Sequence, residues 1–222
     1  MPTQPSRKRK AVVLLSGGLD STVSLWWALQ REFFCEALTF QYGQRHSREL
    51  RSARAVSRLA GVPLHVVRFA LPWSGSSLTS RRQALPTRSA HRIGAGIPST
   101  YVPGRNTIFL SFALSLADQI GAEALVIGAN AVDYSGYPDC RGPYLRAFEK
   151  AARLGSRIGD EGGRLAVVAP LVRLTKAQII KLGRKLGAPL EKTWSCYAGG
   201  MKPCGVCDSC VLRDQGFIEA GS

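Results

Sequence analysis

The sequence predicts an α/β fold, with a doubly wound and mostly parallel sheet and a small C-terminal zinc-binding tail. Short apolar runs alternate with stretches of helical periodicity, a glycine-rich turn follows the first run, and four cysteines lie within positions 196–210. Alternating strands and helices are typical of parallel sheets with crossover helices. A chain of 222 residues is also long enough to bury a core without disulfide bonds.

The first half of the chain predicts three strands and two helices. We expect strands at 11–15, 37–42 and 63–69, because each is a continuous apolar or β-branched run. A helix follows the first strand from about residue 23 to 29, and an Arg-rich amphipathic helix covers 46–59.

The second half continues the same alternation after a long irregular segment. Residues 72–100 are rich in Ser, Arg, Gly and Pro, a composition and length typical of a lid or binding segment. Thr175 is a plausible N-cap and Gly187 a plausible stop for the last predicted helix. The predicted elements are a helix at 106–120, a strand at 124–128, a helix at 144–154, a strand at 165–168 and a helix at 175–186.

The charge of the chain is +15 and is unevenly distributed. Residues 1–105 carry 16 Lys and Arg against 4 Asp and Glu, whereas 106–222 carry 14 against 11. Such a field attracts a nucleoside triphosphate or RNA, and it also fits a solvated Arg-rich surface. The basic segment 1–10 precedes an apolar stretch too short for a signal peptide, and no run approaches the roughly 20 residues of a membrane span. We therefore expect a soluble cytoplasmic protein.

The turn Ser16-Gly-Gly-Leu-Asp-Ser-Thr22 lies between the first strand and the first helix. Glycines let the backbone approach phosphate oxygens, and the helix N-terminus and the hydroxyl groups offer donors. The turn lacks the lysine and spacing of the Walker loop and the third glycine of the GxGxxG fingerprint. It predicts an anion-binding loop, although a glycine-rich turn with a capping Asp20 or Ser21 has the same letters.

Four of the six cysteines form a C-terminal cluster, Cys196, Cys204, Cys207 and Cys210. Four thiolates at these spacings suit a closed tetrahedral zinc site, which is structural rather than catalytic. An iron–sulfur cluster uses the same ligands and remains the alternative. Disulfide bonds are not expected, because the cysteines are concentrated at one end and nothing indicates secretion.

Two polar strings, at 100–107 and 130–142, carry further candidate binding residues. Arg105 can pair with a carboxylate or a phosphate, an aspartate of the second string can accept from the N–H edge of a purine-like ring, and a tyrosine can stack on its face. Capped helix starts and tyrosine-rich turns have similar sequences, so the strings alone leave this open. The candidates in the second string are Asp133, Tyr134, Tyr137 and Asp139.

The turn resembles the SGGxDS signature of the PP-loop ATP pyrophosphatases. Members of that superfamily bind ATP in an adenine nucleotide alpha hydrolase-like sheet and release pyrophosphate while transferring AMP. The resemblance implies Asp20, Ser21 and Arg105 as catalytic residues, with Asp20 helping to hold Mg²⁺. It implies that ATP is held by Leu15, Ser16, Gly17, Gly18, Leu19, Asp20, Ser21 and Thr22.

The strings SGGLDST, TYVPGRNTIFLS, IGANAVDYSGYPDCR, PLVRLTK and TWSCYAGGMKPCGVCDSCVLRDQGF together are similar to the 7-cyano-7-deazaguanine synthase (QueC) family. This resemblance implies an ATP-dependent ligase of queuosine biosynthesis. It would adenylate 7-carboxy-7-deazaguanine, let ammonia form the amide, and activate and dehydrate the amide to the nitrile preQ0. Gly104 departs from the family's usual alanine, and segment 81–92 matches no family string. The implied substrate contacts are Arg105, Asn106, Asp133, Tyr134 and Asp139, with Cys140 as a further candidate, and the four tail cysteines match the family's zinc site.

The implied chemistry agrees with elementary reactivity. A carboxylate is a poor electrophile, and adenylation gives it an AMP leaving group whose charge a cation can stabilise. No side-chain nucleophile is needed. The alternatives are a PP-loop enzyme that thiolates a tRNA base or attaches lysine to it, and a zinc-knuckle nucleic-acid binder. We expect a tail at 1–10, an ATP-binding domain at 11–190, a zinc segment at 191–222 and, by analogy, a homodimer.

Overall fold

The computed structural model describes residues 9–44, 48–73, 75–80, 82–87, 96–131 and 136–221. Five strands form one parallel sheet, in the order β3-β2-β1-β4-β5. This arrangement confirms the predicted α/β class with its parallel sheet. The strands are β1 (Lys10–Leu14), β2 (Phe34–Gln41), β3 (Leu64–Arg68), β4 (Ala124–Val126) and β5 (Ala166–Val168).

Each predicted helix is present, and the described residues contain two further helices that were not predicted, one at 157–160 and one at the C-terminal end. Within the described residues, no helix combines the length and apolarity needed to cross a membrane. The helices are α1 (Leu19–Gln30), α2 (Arg48–Ala60), α3 (Arg105–Ile120), α4 (Gly142–Leu154), α5 (Arg157–Asp160), α6 (Lys176–Lys185) and α7 (Asp208–Glu219).

Helix α7 is absent from the prediction, which treats the end of the chain as a cysteine tail alone. Gly216 in its middle argues against a helix by propensity. The structure explains the glycine, because a Cβ there would lie 2.5 Å from Cγ of Lys176. The glycine therefore lets α7 pack closely against α6.

Both faces of β1 are buried, as expected for a central strand of a parallel sheet. Val12 and Leu14 pack with Leu110 of α3 on one face, whereas Ala11 and Val13 pack with residues of α1 and α2 on the other. Cys35 lies in the second of these clusters, where burial raises the pKa of its thiol to about 12. It is a core residue that stays protonated.

The strand order places functional loops at one edge of the sheet. The carboxyl ends of parallel strands meet there, and ligands bind where the strand order reverses. Here the chain runs outward from β1 to β2 and β3, then returns to pair β4 with the other side of β1. The glycine turn after β1 and the polar string after β4 therefore share this switch point.

Candidate active site

The glycine turn joins β1 directly to α1. Gly18 is the N-cap of α1, and its N–H donates to Ser16 Oγ at 3.2 Å. The hydroxyls of Ser21 and Thr22 donate to the Gly18 carbonyl at 3.1 and 2.9 Å, and Ser16 Oγ lies 3.0 Å from Ser21 Oγ. These hydrogen bonds fix the first turn of α1 beneath the loop. The backbone N–H groups at the N-terminus of α1 can then bind an anion.

Gly17 is fixed from two sides by distant parts of the chain. Ser52 Oγ donates to its carbonyl at 2.8 Å, and the Trp194 N–H donates to the same oxygen at 2.9 Å. Its φ is +86°, and a Cβ there would lie 2.4 Å from the Glu49 carbonyl oxygen and 2.5 Å from the Ala53 nitrogen. Only glycine allows α2 to pack this closely on the loop.

Replacement of Gly17 by alanine should therefore cost far more stability than replacement of Gly43. Both glycines have a left-handed φ, +86° and +89°, but a Cβ at Gly43 meets nothing within 4 Å. We expect Gly43→Ala to cost about 1–2 kcal/mol from backbone strain alone. Gly17→Ala adds a backbone clash and should cost about 3 kcal/mol or more in urea unfolding. Equal losses for the two variants would contradict this close packing.

Asp20 points from the first turn of α1 towards the N-terminus of α6. Lys176 Nζ donates to both of its carboxylate oxygens at 2.7 Å, and Asn130 Nδ2 donates to one of them at 3.1 Å. Thr175 and Gln178 form a capping box and Gly187 has φ +68°, so the predicted start and stop of this helix are confirmed. Lys176 was not among the predicted site residues, although the Thr-Lys pair at the capped helix start could have indicated it.

One cavity of about 270 Å³ lies against this loop. It contains most of the predicted nucleotide and substrate residues, but Gly17, Thr22 and Asp139 do not line it. Asp133 and Tyr134 lie outside the described residues. The predicted residues on its wall are Leu15, Ser16, Gly18, Leu19, Asp20, Ser21, Arg105, Asn106, Tyr137 and Cys140.

Arg105 supplies a second cation to this cavity. Its Nη1 donates to the Tyr42 hydroxyl at 3.5 Å, and the guanidinium lies 5.9 Å from the ring centres of Phe109 and Tyr137. Burial alone would lower the pKa of Arg105, but the Tyr42 and Tyr137 hydroxyls and the Cys140 thiol outweigh it and raise the pKa. The residue is a permanent positive charge at the cavity wall.

Asp139 has a contact inside the protein rather than on the cavity wall. It is buried, and its Oδ2 accepts the backbone N–H of Asn106 at 2.9 Å. The Asn106 side chain donates to Cys140 Sγ at 3.0 Å. Asp139 thus satisfies the N-terminus of α3 and helps to position Arg105 and Asn106.

The C-terminal cysteines come together as the sequence predicts. All four sulfur atoms lie within 4.8 Å of one another. A tetrahedron with Zn–S bonds of roughly 2.3 Å has edges of about 3.8 Å, so the cluster has the size for one tetrahedral metal ion. Backbone N–H groups donate to the sulfurs of Cys196 and Cys204 at 3.3–3.4 Å. The donor set is four cysteine sulfurs, which suits a soft structural metal ion that binds them as thiolates.

The cysteine cluster also supports the cavity. The Trp194 indole donates to the Cys196 carbonyl at 2.9 Å, while the Trp194 backbone N–H holds Gly17. Trp194, Ser195, Tyr197 and Arg213 line the same cavity. Arg213 of α7 donates to Thr193 Oγ1 at 2.7 Å. The cluster thus fixes a wall that touches the glycine turn.

A family model described as queuosine biosynthesis protein QueC matches residues 10–221. The chain is 54% identical to 7-cyano-7-deazaguanine synthase from Trichodesmium erythraeum, over 96% of this chain and 97% of that protein. It is 52% identical to the synthase from Thermoplasma acidophilum, over 97% and 90%. An NMN synthetase structure from Francisella tularensis is similar in fold, with a TM-score of 0.51, 16% identity and coverage of 97% and 88%.

Proposed function

The chain belongs to the QueC family of queuosine biosynthesis proteins, and on that premise we propose that it converts 7-carboxy-7-deazaguanine and ammonia to 7-cyano-7-deazaguanine with consumption of ATP. The proposal rests on one observation, which concerns the residues that line the cavity. The glycine turn, the Asp20–Lys176 pair and the Arg105 cation line a single cavity. An acid and a triphosphate can meet there between two positive charges.

In this proposal the nucleotide lies along the turn from Leu15 to Thr22. The N-terminus of α1 and the Ser16 and Ser21 hydroxyls face the phosphates, and Lys176 moves part of its contact from Asp20 to them. Asp20 would hold Mg²⁺, and the ion would neutralise charge on the leaving pyrophosphate. Oxygen ligands and a nearby phosphate are the donor set that Mg²⁺ prefers.

The acid lies on the Arg105 side of the cavity. The guanidinium would bind the carboxylate and so direct one of its oxygens towards the α-phosphorus of ATP. Asn106 is held by Asp139 and Cys140, and Asp133 and Tyr134 are proposed as further substrate contacts. The same residues act in both activation steps, because the amide oxygen must be activated in the same position as the carboxylate oxygen before dehydration to the nitrile.

We also propose that the four cysteines hold a structural Zn²⁺. The cavity contains other groups for substrate binding, and four thiolates fill every position of a tetrahedral ion. A cysteine cluster without disulfide bonds is typical of a reducing compartment, which supports a cytoplasmic enzyme.

The proposed activity is tested by incubating the protein with ATP, Mg²⁺, an ammonium salt and 7-carboxy-7-deazaguanine. Mass spectrometry should find the nitrile, a transient amide, AMP and pyrophosphate. No AMP and no mass change would reject the proposal. The tRNA-modifying alternative has no comparable support, and it predicts AMP release only when tRNA is added.

Lys176→Met should reduce kcat/KM for ATP by about 10- to 100-fold, because a hydrogen bond to a charged group contributes roughly 1.5–3 kcal/mol. Lys181→Met is the matched control, since Lys181 is exposed on the same helix. AMP release measures both variants. If Lys176→Met keeps the wild-type kcat/KM, Lys176 does not contact the triphosphate.

A further inference from the structure

Glu49 is a carboxylate on the cavity wall that the activity described so far does not use. It lies in the first turn of α2, is half-buried and lines the same cavity as Ser16 and Arg105. Its backbone packs directly against Gly17. Glu49 is therefore placed beside the turn at which AMP would be held.

The Glu49 carboxylate has no hydrogen-bond donor and no ion-pair partner among the residues that the structure describes. A half-buried carboxylate normally has one, because its desolvation is otherwise uncompensated. Burial raises the pKa of Glu49 to about 7, and the Arg105 charge lowers that pKa in part. Among the residues that the structure places, Tyr42 is the other titratable group whose charge interacts with Glu49. Near neutral pH the carboxylate is therefore open to a ligand that brings a proton.

Asp20 is the other carboxylate among the described residues that line the cavity. It is already bonded to Lys176 and Asn130. Asp139 accepts from Asn106 and lies off the cavity wall. Among the described residues on the cavity wall, Glu49 is thus the carboxylate that remains available for proton transfer.

The proposed reaction needs such a group. Ammonium is the main form of ammonia near neutral pH, and it has no lone pair with which to attack a carbonyl. We propose that Glu49 binds the ammonium ion and acts as the general base that releases ammonia onto the acyl adenylate. The inference rests on the proposed function and adds a catalytic residue to it.

The step balances in protons and electrons. One proton of NH₄⁺ passes to the Glu49 carboxylate, and the freed lone pair forms the C–N bond to the acyl carbon. The C–O bond to AMP then breaks, and its electron pair leaves with the phosphate. The nitrogen loses one further proton to that phosphate as the neutral amide forms. Glu49 returns its proton to water before the next turnover.

Glu49→Gln tests the role against two separate readouts. ATP–pyrophosphate exchange driven by 7-carboxy-7-deazaguanine without ammonium should stay close to the wild-type rate. Amide formation from ammonium at pH 7 should fall by about 100-fold or more, the usual contribution of a general base. Exposed Glu191→Gln is the control and should change neither rate.

Two further measurements distinguish a general base from a structural residue: the dependence of the rate on pH, and the rate with a different nucleophile. The base works as carboxylate, so wild-type amide formation should fall as the pH drops through about 7 and level off above it. In Glu49→Gln the rate should keep rising with pH, because only free ammonia reacts. Hydroxylamine is already neutral at pH 7 and should restore most of the lost rate.

Each failure points to a different conclusion. If the wild type shows no exchange with the acid, the proposed function fails. If exchange is normal but the variant keeps the wild-type pH profile with ammonium, Glu49 is not the base. If the variant loses exchange as well, Glu49 holds the acid or ATP, and the inference is overturned.

The Glu49→Asp variant retains a carboxylate, so its rate of amide formation should still level off at high pH.

Discussion

Replacement of Asp20 by asparagine should reduce AMP release by about 10³-fold, the upper range for loss of one preorganised electrostatic group. The asparagine side chain has nearly the same shape, but it carries no charge. It cannot accept both 2.7 Å bonds from Lys176, and it is a poor ligand for Mg²⁺. The loss should therefore fall on turnover rather than on folding.

Two further measurements make the Asp20 result specific. The variant should need a higher Mg²⁺ concentration for half-maximal activity, because one oxygen ligand has lost its charge. Asp160→Asn changes an exposed carboxylate of α5 and should leave turnover unchanged. If Asp20→Asn keeps more than a tenth of wild-type turnover with the same Mg²⁺ dependence, the proposed role of Asp20 is wrong.

Loss of the metal site should have the largest effect on stability. Cys207 is a predicted ligand, is buried and caps α7. Cys207→Ser would leave three thiols for the proposed ion, and losing a metal site costs about 4 kcal/mol or more. For a chain of this length that corresponds to a fall in Tm of about 8–16 °C. Metal content by mass spectrometry should fall in parallel.

The same change should weaken ATP binding. The cysteine cluster holds Trp194, and the Trp194 N–H donates to the Gly17 carbonyl of the glycine turn. KM for ATP should therefore rise in Cys207→Ser at temperatures where the protein is still folded. Cys35→Ala removes a core thiol and should keep the full metal content. A wild-type Tm for metal-free protein would show that the cluster does not support the fold.

The strands and most helices were predictable because they depend on local patterns. The β1 sequence is apolar at every position after Lys10, which is what a strand buried on both faces requires. Helix α7 was not predicted. The glycine at position 216 disfavours a helix by propensity, and its close contact with Lys176 cannot be recognised from any local sequence pattern. Propensity and tertiary packing disagree at that residue, and packing decides.

The site was predictable where its residues are adjacent in sequence. The glycine turn and the four cysteines each lie within one short segment, so their spacing carries the information. Lys176 meets Asp20 across 156 positions, and Glu49 belongs to a helix whose sequence indicates only an Arg-rich amphipathic element. Only the strand order, with β4 paired beside β1, brings such residues to one cavity.

The proposed reaction requires that the acid be activated as an adenylate at the glycine turn. The most direct test uses 7-carboxy-7-deazaguanine with both carboxylate oxygens labelled by ¹⁸O, together with ATP, Mg²⁺ and ammonium. If the reaction passes through the adenylate, the label moves to the phosphate of AMP, with one ¹⁸O in each AMP released, and the nitrile carries none. Unlabelled AMP, or release of ADP and phosphate instead, would contradict it.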